Sequence, residues 1–316
     1  MVKQKPPAKP QPKRSPLLKV VLSVGVLAAA VYVLITHWHI VQSSLQVARG
    51  ASTGWLVVSV GLMALTFAIA AGIYGALALH RLHYFQTLLI EVAAAFVNRL
   101  LPSGLGGLGL HGVYLYKRKH TAAEATVVVS VNNLIGMAAH LILLGLVLTF
   151  NHSLLLQFVN KWHLQLHWWY GLVLLVVVGV TALPPVRRRL GLFMHNLAVS
   201  VCKISPRSLV RALGLAALLT TTYTLILFAA TRSLGLHLAL LQVFIVFSLG
   251  MLTSTATPTP GGLVGAEAGL FAGLVVYSVP TSTAGAAVVL FRLVSYWLPL
   301  VPGVLALLLA RRRRLA

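Results

Sequence analysis

Apolar runs of about 20 residues, the length that crosses a bilayer as a helix, recur along nearly the whole chain. Short polar or basic clusters separate them, and the longest polar stretch is an N-terminal tail of about 16 residues. The runs predict spanning helices over about residues 17–36, 54–79, 123–150, 168–184, 208–230 and 283–310. Two further apolar segments do not fit that pattern, because proline and glycine interrupt them. The first, residues 85–116, carries Pro102, Gly104, Gly106 and Gly107 at its centre; the second, within 237–280, carries Pro258, Pro260, Gly261, Gly262 and Gly265. A broken hydrophobic segment with an ionisable group nearby points to a binding site or pathway in a membrane protein. Here each break has a glutamate, Glu91 and Glu267.

Charge placement turns these runs into a topology. The chain is 59% hydrophobic and 9% charged, with 25 Lys and Arg against 3 acidic residues and a formal charge of +22. The cations sit in clusters between spans: Lys3 to Lys19, Lys117-Arg118-Lys119, Arg187 to Arg189, and Arg311 to Arg314. That is the positive-inside pattern, which reports orientation and contact with anionic headgroups rather than a nucleic-acid surface. It places both termini in the cytoplasm. The first apolar run is longer than a secretory signal and lacks a good cleavage site, so it reads as an uncleaved helix. The connection 37–53 carries one cation, Arg49.

With these orientations, residues 85–116 begin and end on the cytoplasmic side, and 237–280 begin and end outside. The expected fold is an all-α polytopic membrane protein with about six full spans and two oppositely oriented re-entrant hairpins in an inverted repeat. The alternative is eight or more full spans. The domains follow as a basic tail 1–16, a single membrane domain 17–310 with repeat halves of about 54–150 and 208–310, and a basic tail 311–316. A weak echo supports the repeat: Pro102-SGLGGLGLHG and Pro258-TPGGLVGAEA align without a gap, setting Gly109 on Gly265 and His111 on Glu267.

Candidate chemistry centres on the breaks. Glycines 261, 265, 269 and 273 recur every four residues and form one ridge of a helix, where a neighbour can approach closely. Glu267 lies about 200° round from that ridge at ~100° per residue. It therefore faces a wet cavity or a buried cation, since a carboxylate in lipid costs ~2.5–3.5 kcal/mol on insertion scales. Arg292 is its expected counter-charge, with Tyr296 one turn later, while Asn98 and Arg99 flank the first break two turns beyond Glu91. Two readings stand for Glu267 and Arg292: a static ion pair that holds the second hairpin, or a headgroup or proton site at the midplane. Glu91 also reads as an interfacial residue. Glu124, at a helix start, reads as structural through the helix dipole.

Other features weaken under scrutiny. The run Gly104 to Gly109 lacks the βαβ context of a dinucleotide loop. His163 and His167 have no acidic or thiol partner and sit with Trp162, Trp168 and Trp169 in an interfacial belt. One cysteine, Cys202, excludes an internal disulfide and a thiolate cluster. With no aspartate and no paired carboxylates, neither a metal nor a cofactor is expected. His111 and His140 remain as minor candidates.

Asn98-Arg99-LLPSGLGGLGL, TPTPGGLVGAE ending at Glu267, and LFRLVSYWLPLVPG with Arg292 and Trp297 resemble the membrane domain of bacterial lysylphosphatidylglycerol synthase. They also resemble its stand-alone inner-membrane relatives, which include a hopanoid-associated branch. The resemblance spans about residues 17–310. It implies a multi-pass domain that, in the bifunctional synthase, moves an aminoacylated lipid between leaflets, while synthesis belongs to a soluble acetyltransferase-like domain not found in these residues. Relatives tend to carry an acid–arginine pair in the helix after the first hairpin, where this chain has Asn132-Asn133. The expectation is a lipid flippase of the bacterial inner membrane acting on an anionic or polyprenyl-linked lipid, not an enzyme. Arg99 and Arg292 would attract the phosphate, and Glu91 and Glu267 would balance charge or carry protons. The alternative is a scaffold presenting membrane lipid to a separate cell-envelope enzyme, and a metal-independent transferase is a third reading.

Overall fold

The computed structural model describes residues 38–100, 105–151, 191, 204–257, 262 and 264–315. The predicted spans at 17–36 and 168–184, and Pro102, Gly104, Pro258, Pro260 and Gly261 at the breaks, lie outside the described residues. Among those described, the structure is helical without strands. The helices are α1 (Trp38–Arg49), α2 (Thr53–Leu77), α3 (Tyr84–Leu100), α4 (Leu105–Lys117), α5 (Ala122–Phe150), α6 (Pro206–Ser233), α7 (Leu240–Ala256), α8 (Gly265–Val276) and α9 (Thr281–Arg292). A π-helical turn (Leu293–Trp297) and α10 (Leu300–Arg312) complete the order.

Four helical stretches are long and apolar enough to cross a membrane: α2, α5, α6 and the run from α9 through α10, of 25, 29, 28 and 32 residues. They coincide with four of the predicted spans, and the chain is a multi-pass membrane protein. Residues 37–53, expected as a plain connection, instead hold α1. It docks closely on α9, where a Cβ on Gly285 would collide with the Ser44 hydroxyl.

Local chemistry explains where the helices start and stop. Thr121 and Glu124 form a capping box at the start of α5, so Glu124 is structural as expected, with a hydrogen-bonded cap added to the dipole effect. Ser205 caps α6 by accepting from Ser208 N–H, and Pro206 follows in the first turn, where its missing N–H costs nothing. α6 ends at Gly235 with φ +75°, which lets the Leu236 N–H reach back to the Thr231 carbonyl.

α2 and α6 pack side by side along the middle of the fold. Between and beside them a core forms from Met63, Ile226, Leu227, Val243, Val246, Leu270, Leu274 and Phe291. Outward positions are apolar too, with Val57, Phe85, Phe150, Leu252 and Val301 exposed, as a lipid-facing surface requires. Buried hydroxyls turn back on their own helices: Ser59 donates to the Trp55 carbonyl, Thr222 to Leu218 and Thr224 to Thr220.

Each broken segment supplies two described helices that pack on each other, α3 on α4 and α7 on α8. In the second unit the ridge works as the spacing implied. A Cβ on Gly265 would strike Thr257 and the Thr253 carbonyl, one on Gly269 would strike Thr253, and one on Gly273 would lie 3.2 Å from Val246. In the first unit the tight positions are Gly106 against Val97 and Gly107 against Asn98, while Gly109 faces open space. The gap-free echo that set Gly109 on Gly265 therefore does not superpose the two close approaches.

Candidate functional site

The first hairpin is closed by polar contacts. Asn98 Oδ1 accepts from the Gly107 N–H at 2.6 Å, capping the exposed amide end of α4 from the last turn of α3. Deeper in the hairpin, Glu91 Oε1 lies 2.9 Å from His111 Nε2. The His111 Nδ1 lies 2.8 Å from the Gly107 carbonyl, and its ring stacks on Tyr74 at 4.2 Å between centroids. Both partners are buried, with side chains 11% and 6% exposed. Glu91 is thus held against α4 inside the helical packing. His111 was a minor candidate because nothing in its spacing reveals a partner 20 positions earlier.

Arg99, one residue beyond Asn98, reaches the last helical run. It donates to the carbonyl of Ala95 on its own helix and through Nη2 to the Ser295 carbonyl at 2.7 Å. The reason that carbonyl is available lies four residues on. An α-helix would bring the residue 299 N–H to it, and Pro299 has none. The backbone relaxes into the π turn, in which the Leu298 N–H bonds Leu293. This interruption of the predicted helix 283–310 was not anticipated, although Pro299 and Pro302 are its visible signature.

Arg292 donates through Nε to Glu267 Oε1 at 2.6 Å, so α8 and α9 are joined by the pair expected from the sequence. Arg292 is 13% exposed and Glu267 32%. Tyr296 gathers the two cations: the Arg99 and Arg292 guanidinium carbons lie 4.9 and 5.2 Å from its ring centre. Four buried polar atoms of this cluster have no protein partner, namely Arg99 Nε, Arg292 Nη2, Glu267 Oε2 and Ser295 Oγ. Counting Arg99 and Arg292 against Glu267, the cluster carries one net positive charge.

A cavity of about 180 Å³ lies between α2, α3 and α6. Glu91, Asn98 and Arg99 form one stripe of its wall, with Thr66 and Tyr223 opposite. The structure therefore brings Arg99, Arg292, Glu267 and Tyr296 together and sets Glu91 and Asn98 on the same cavity as Arg99. Gly106, Gly107 and Gly265 serve close helix approach, and Gly262, with φ +65°, packs against Ser254. Asn132 is half-buried and Asn133 exposed on α5, and His140 lies beside Phe244 and Phe247.

A family model described as the lysylphosphatidylglycerol synthase TM region matches residues 17–303. Comparison with curated proteins gives no significant match.

Proposed function

Since the chain belongs to the lysylphosphatidylglycerol synthase transmembrane-region family, its role concerns membrane lipids, and we propose that it is a flippase carrying an anionic or polyprenyl-linked lipid between leaflets. The observation that carries this reading is the convergence of Arg99 and Arg292 on Tyr296. Each arginine keeps a buried guanidinium nitrogen without a protein partner, beside a free Ser295 hydroxyl. Donors arranged this way suit the oxygens of one phosphate, and the single net charge suits a phosphodiester monoanion. Glu267 tempers the field of Arg292, so that the headgroup can leave as well as bind.

In this reading the two broken segments are re-entrant hairpins of opposite orientation in an inverted repeat. Their arms support it: 17 and 13 residues in the first, 17 and 12 in the second. At ~1.5 Å per residue none exceeds ~26 Å, short of a ~30 Å hydrocarbon core. The packing order also repeats. α2 packs on α3, α3 on α4 and α4 on α5, just as α6 packs on α7, α7 on α8 and α8 on α9. In this reading the membrane is the bacterial inner membrane, as the family resemblance implies, and both termini are cytoplasmic on the positive-inside argument.

The test is lipid movement in proteoliposomes carrying headgroup-labelled anionic lipids, with a quencher outside and Glu267→Gln beside the wild type. Movement in the wild type that the variant loses supports the reading. Equal movement in both reduces Glu267 to an ion-pair partner. No movement of any lipid from a folded preparation favours a scaffold that presents lipid to a separate enzyme.

A further inference from the structure

The contacts of His111 fix how many protons it shares. The Gly107 carbonyl 2.8 Å from Nδ1 can only accept, so Nδ1 carries a hydrogen. Nε2 then faces Glu91 Oε1 at 2.9 Å. Without a proton between them, an imidazole lone pair would oppose a carboxylate at hydrogen-bond distance. The pair therefore holds one proton more than Nδ1–H, as imidazolium and carboxylate or as imidazole and carboxylic acid, and is neutral in either form. Losing that proton leaves one uncompensated negative charge in a buried hairpin.

We propose that Glu91 and His111 together form a binding site for one proton, exchanged with the cavity that Arg99 also lines, so that proton loading and anion binding at Arg99 strengthen each other. The proton site stands on the hairpin geometry alone, whereas its coupling rests on the anion site proposed at Arg99.

The surroundings of the pair limit what else could titrate with it. α2 contributes Tyr74, stacked on the imidazole, and α6 contributes Tyr223 across the cavity. α3 contributes Arg99. On α4 itself, Tyr114 is hydrogen-bonded to Thr87 and Lys117 stands at the helix end. On α5, Glu124 sits beside His80 and His140 beside Phe244, and on α10 Arg311 and Arg312 are exposed at its end. The facing groups are thus two tyrosines and one arginine.

Glu91 and Arg99 stand eight positions apart on one helix, about 12 Å at ~1.5 Å per residue. An unloaded pair places a unit negative charge at that distance from the anion. With an effective dielectric of ~20, the anion affinity falls about tenfold. Linkage makes the effect reciprocal, so a bound anion raises the affinity of the pair for its proton by the same factor.

The experiment compares wild type with Glu91→Gln, whose amide N–H preserves the bond to Nε2 while removing the titration. In detergent, 15N-histidine resonances and the infrared carboxyl bands should show the wild type losing one shared proton in a single step on alkalinisation, and the variant showing no such step. Should that variant not fold, His111→Gln should remove the histidine component of the step, leaving only the Glu91 carboxyl band to titrate. A wild type with Glu91 ionised and only Nδ1–H on His111 at pH 7 overturns the proposal. For the coupling, short-chain phosphatidylglycerol is added in weak buffer at the midpoint of that step, with a pH dye. Proton uptake on binding, with about tenfold weaker binding above the step, is the expected result. Binding without uptake overturns the coupling. Absence of binding overturns the coupling together with the anion reading, while an intact proton step still upholds the proton site.

Discussion

Arg99 donates to the Ser295 carbonyl at 2.7 Å, joining two positions 196 residues apart. The bond ties the end of α3 to the π turn that also carries Tyr296, and α3 and α10 cross tightly just beyond, where a Cβ on Gly303 would lie 2.7 Å from the Phe96 Cβ. First hairpin and last helical run are thereby one mechanical unit around the cluster.

Lysine cannot replace Arg99. Its ammonium is a point donor, whereas Arg99 serves two carbonyls and packs over a ring at once. Arg99→Lys and Arg99→Ala should each lower lipid movement by about tenfold or more, the scale of one lost charge-assisted contact. Near-normal rates for Arg99→Lys in the proteoliposome assay would leave only its positive charge as relevant.

Pro299→Ala restores an N–H that competes with Arg99 for the Ser295 carbonyl. The last helical run should gain up to ~3 kcal/mol in helix propensity, less the strain of straightening. Lipid movement should nevertheless fall. Thermal unfolding in detergent beside transport separates the two, and a variant that is both less stable and fully active contradicts this account of the π turn.

Arg292→Met leaves Glu267 without its cation. Breaking a buried pair costs ~3–5 kcal/mol, but the carboxylate is about a third exposed, so a loss of ~1–3 kcal/mol is expected. Glu267→Gln combined with Arg292→Met should recover at least half of that. Chemical denaturation of the single and double variants gives the coupling directly.

Gly269→Leu should be severe, because it drives a side chain into Thr253 and the Leu249 carbonyl where α8 meets α7. Overpacking costs ~1–3 kcal/mol where neighbours can yield and more against backbone. Gly109→Ala, facing open space, should be neutral or slightly stabilising. Comparable effects at both positions would dissolve the distinction between ridge and exposed face.

His120 should make stability sensitive to pH. Its Nε2 accepts from the Leu79 and His80 N–H groups, fastening the α2–α3 turn to the α4–α5 turn. Burial and the neighbouring His80 hold its pKa below the ordinary histidine value. The folded protein therefore binds this proton less readily than the unfolded chain does. Stability falls as pH drops through about 6.5, where the unfolded histidine protonates. His120→Gln should flatten that dependence in melting curves measured between neutral and mildly acidic pH.

The four long spans, the two breaks, the charge-rich turns and the Glu267–Arg292 pairing were legible in sequence because each rests on local spacing. Hydrophobic run length answers to bilayer thickness, a four-residue glycine period answers to helix geometry, and a lone acid and a lone base in adjacent apolar segments have few other partners. α1 and the π turn were missed: twelve mixed residues after a span look like a loop, and the effect of Pro299 depends on what takes the freed carbonyl.

What the sequence by itself determined is the set of long apolar spans and the scarcity of charge, since chain-local hydrophobicity and composition fix both. Beyond the Glu267–Arg292 pair, tertiary structure alone decided which scarce charged and polar groups meet. His111 reaches Glu91 only because the Gly106–Gly107 approach folds α4 onto α3, and Arg99 reaches Tyr296 only because α10 crosses α3 at Gly303. Those meetings depend on close backbone approach between distant segments, and no period along the chain encodes the partner of a contact made across the fold.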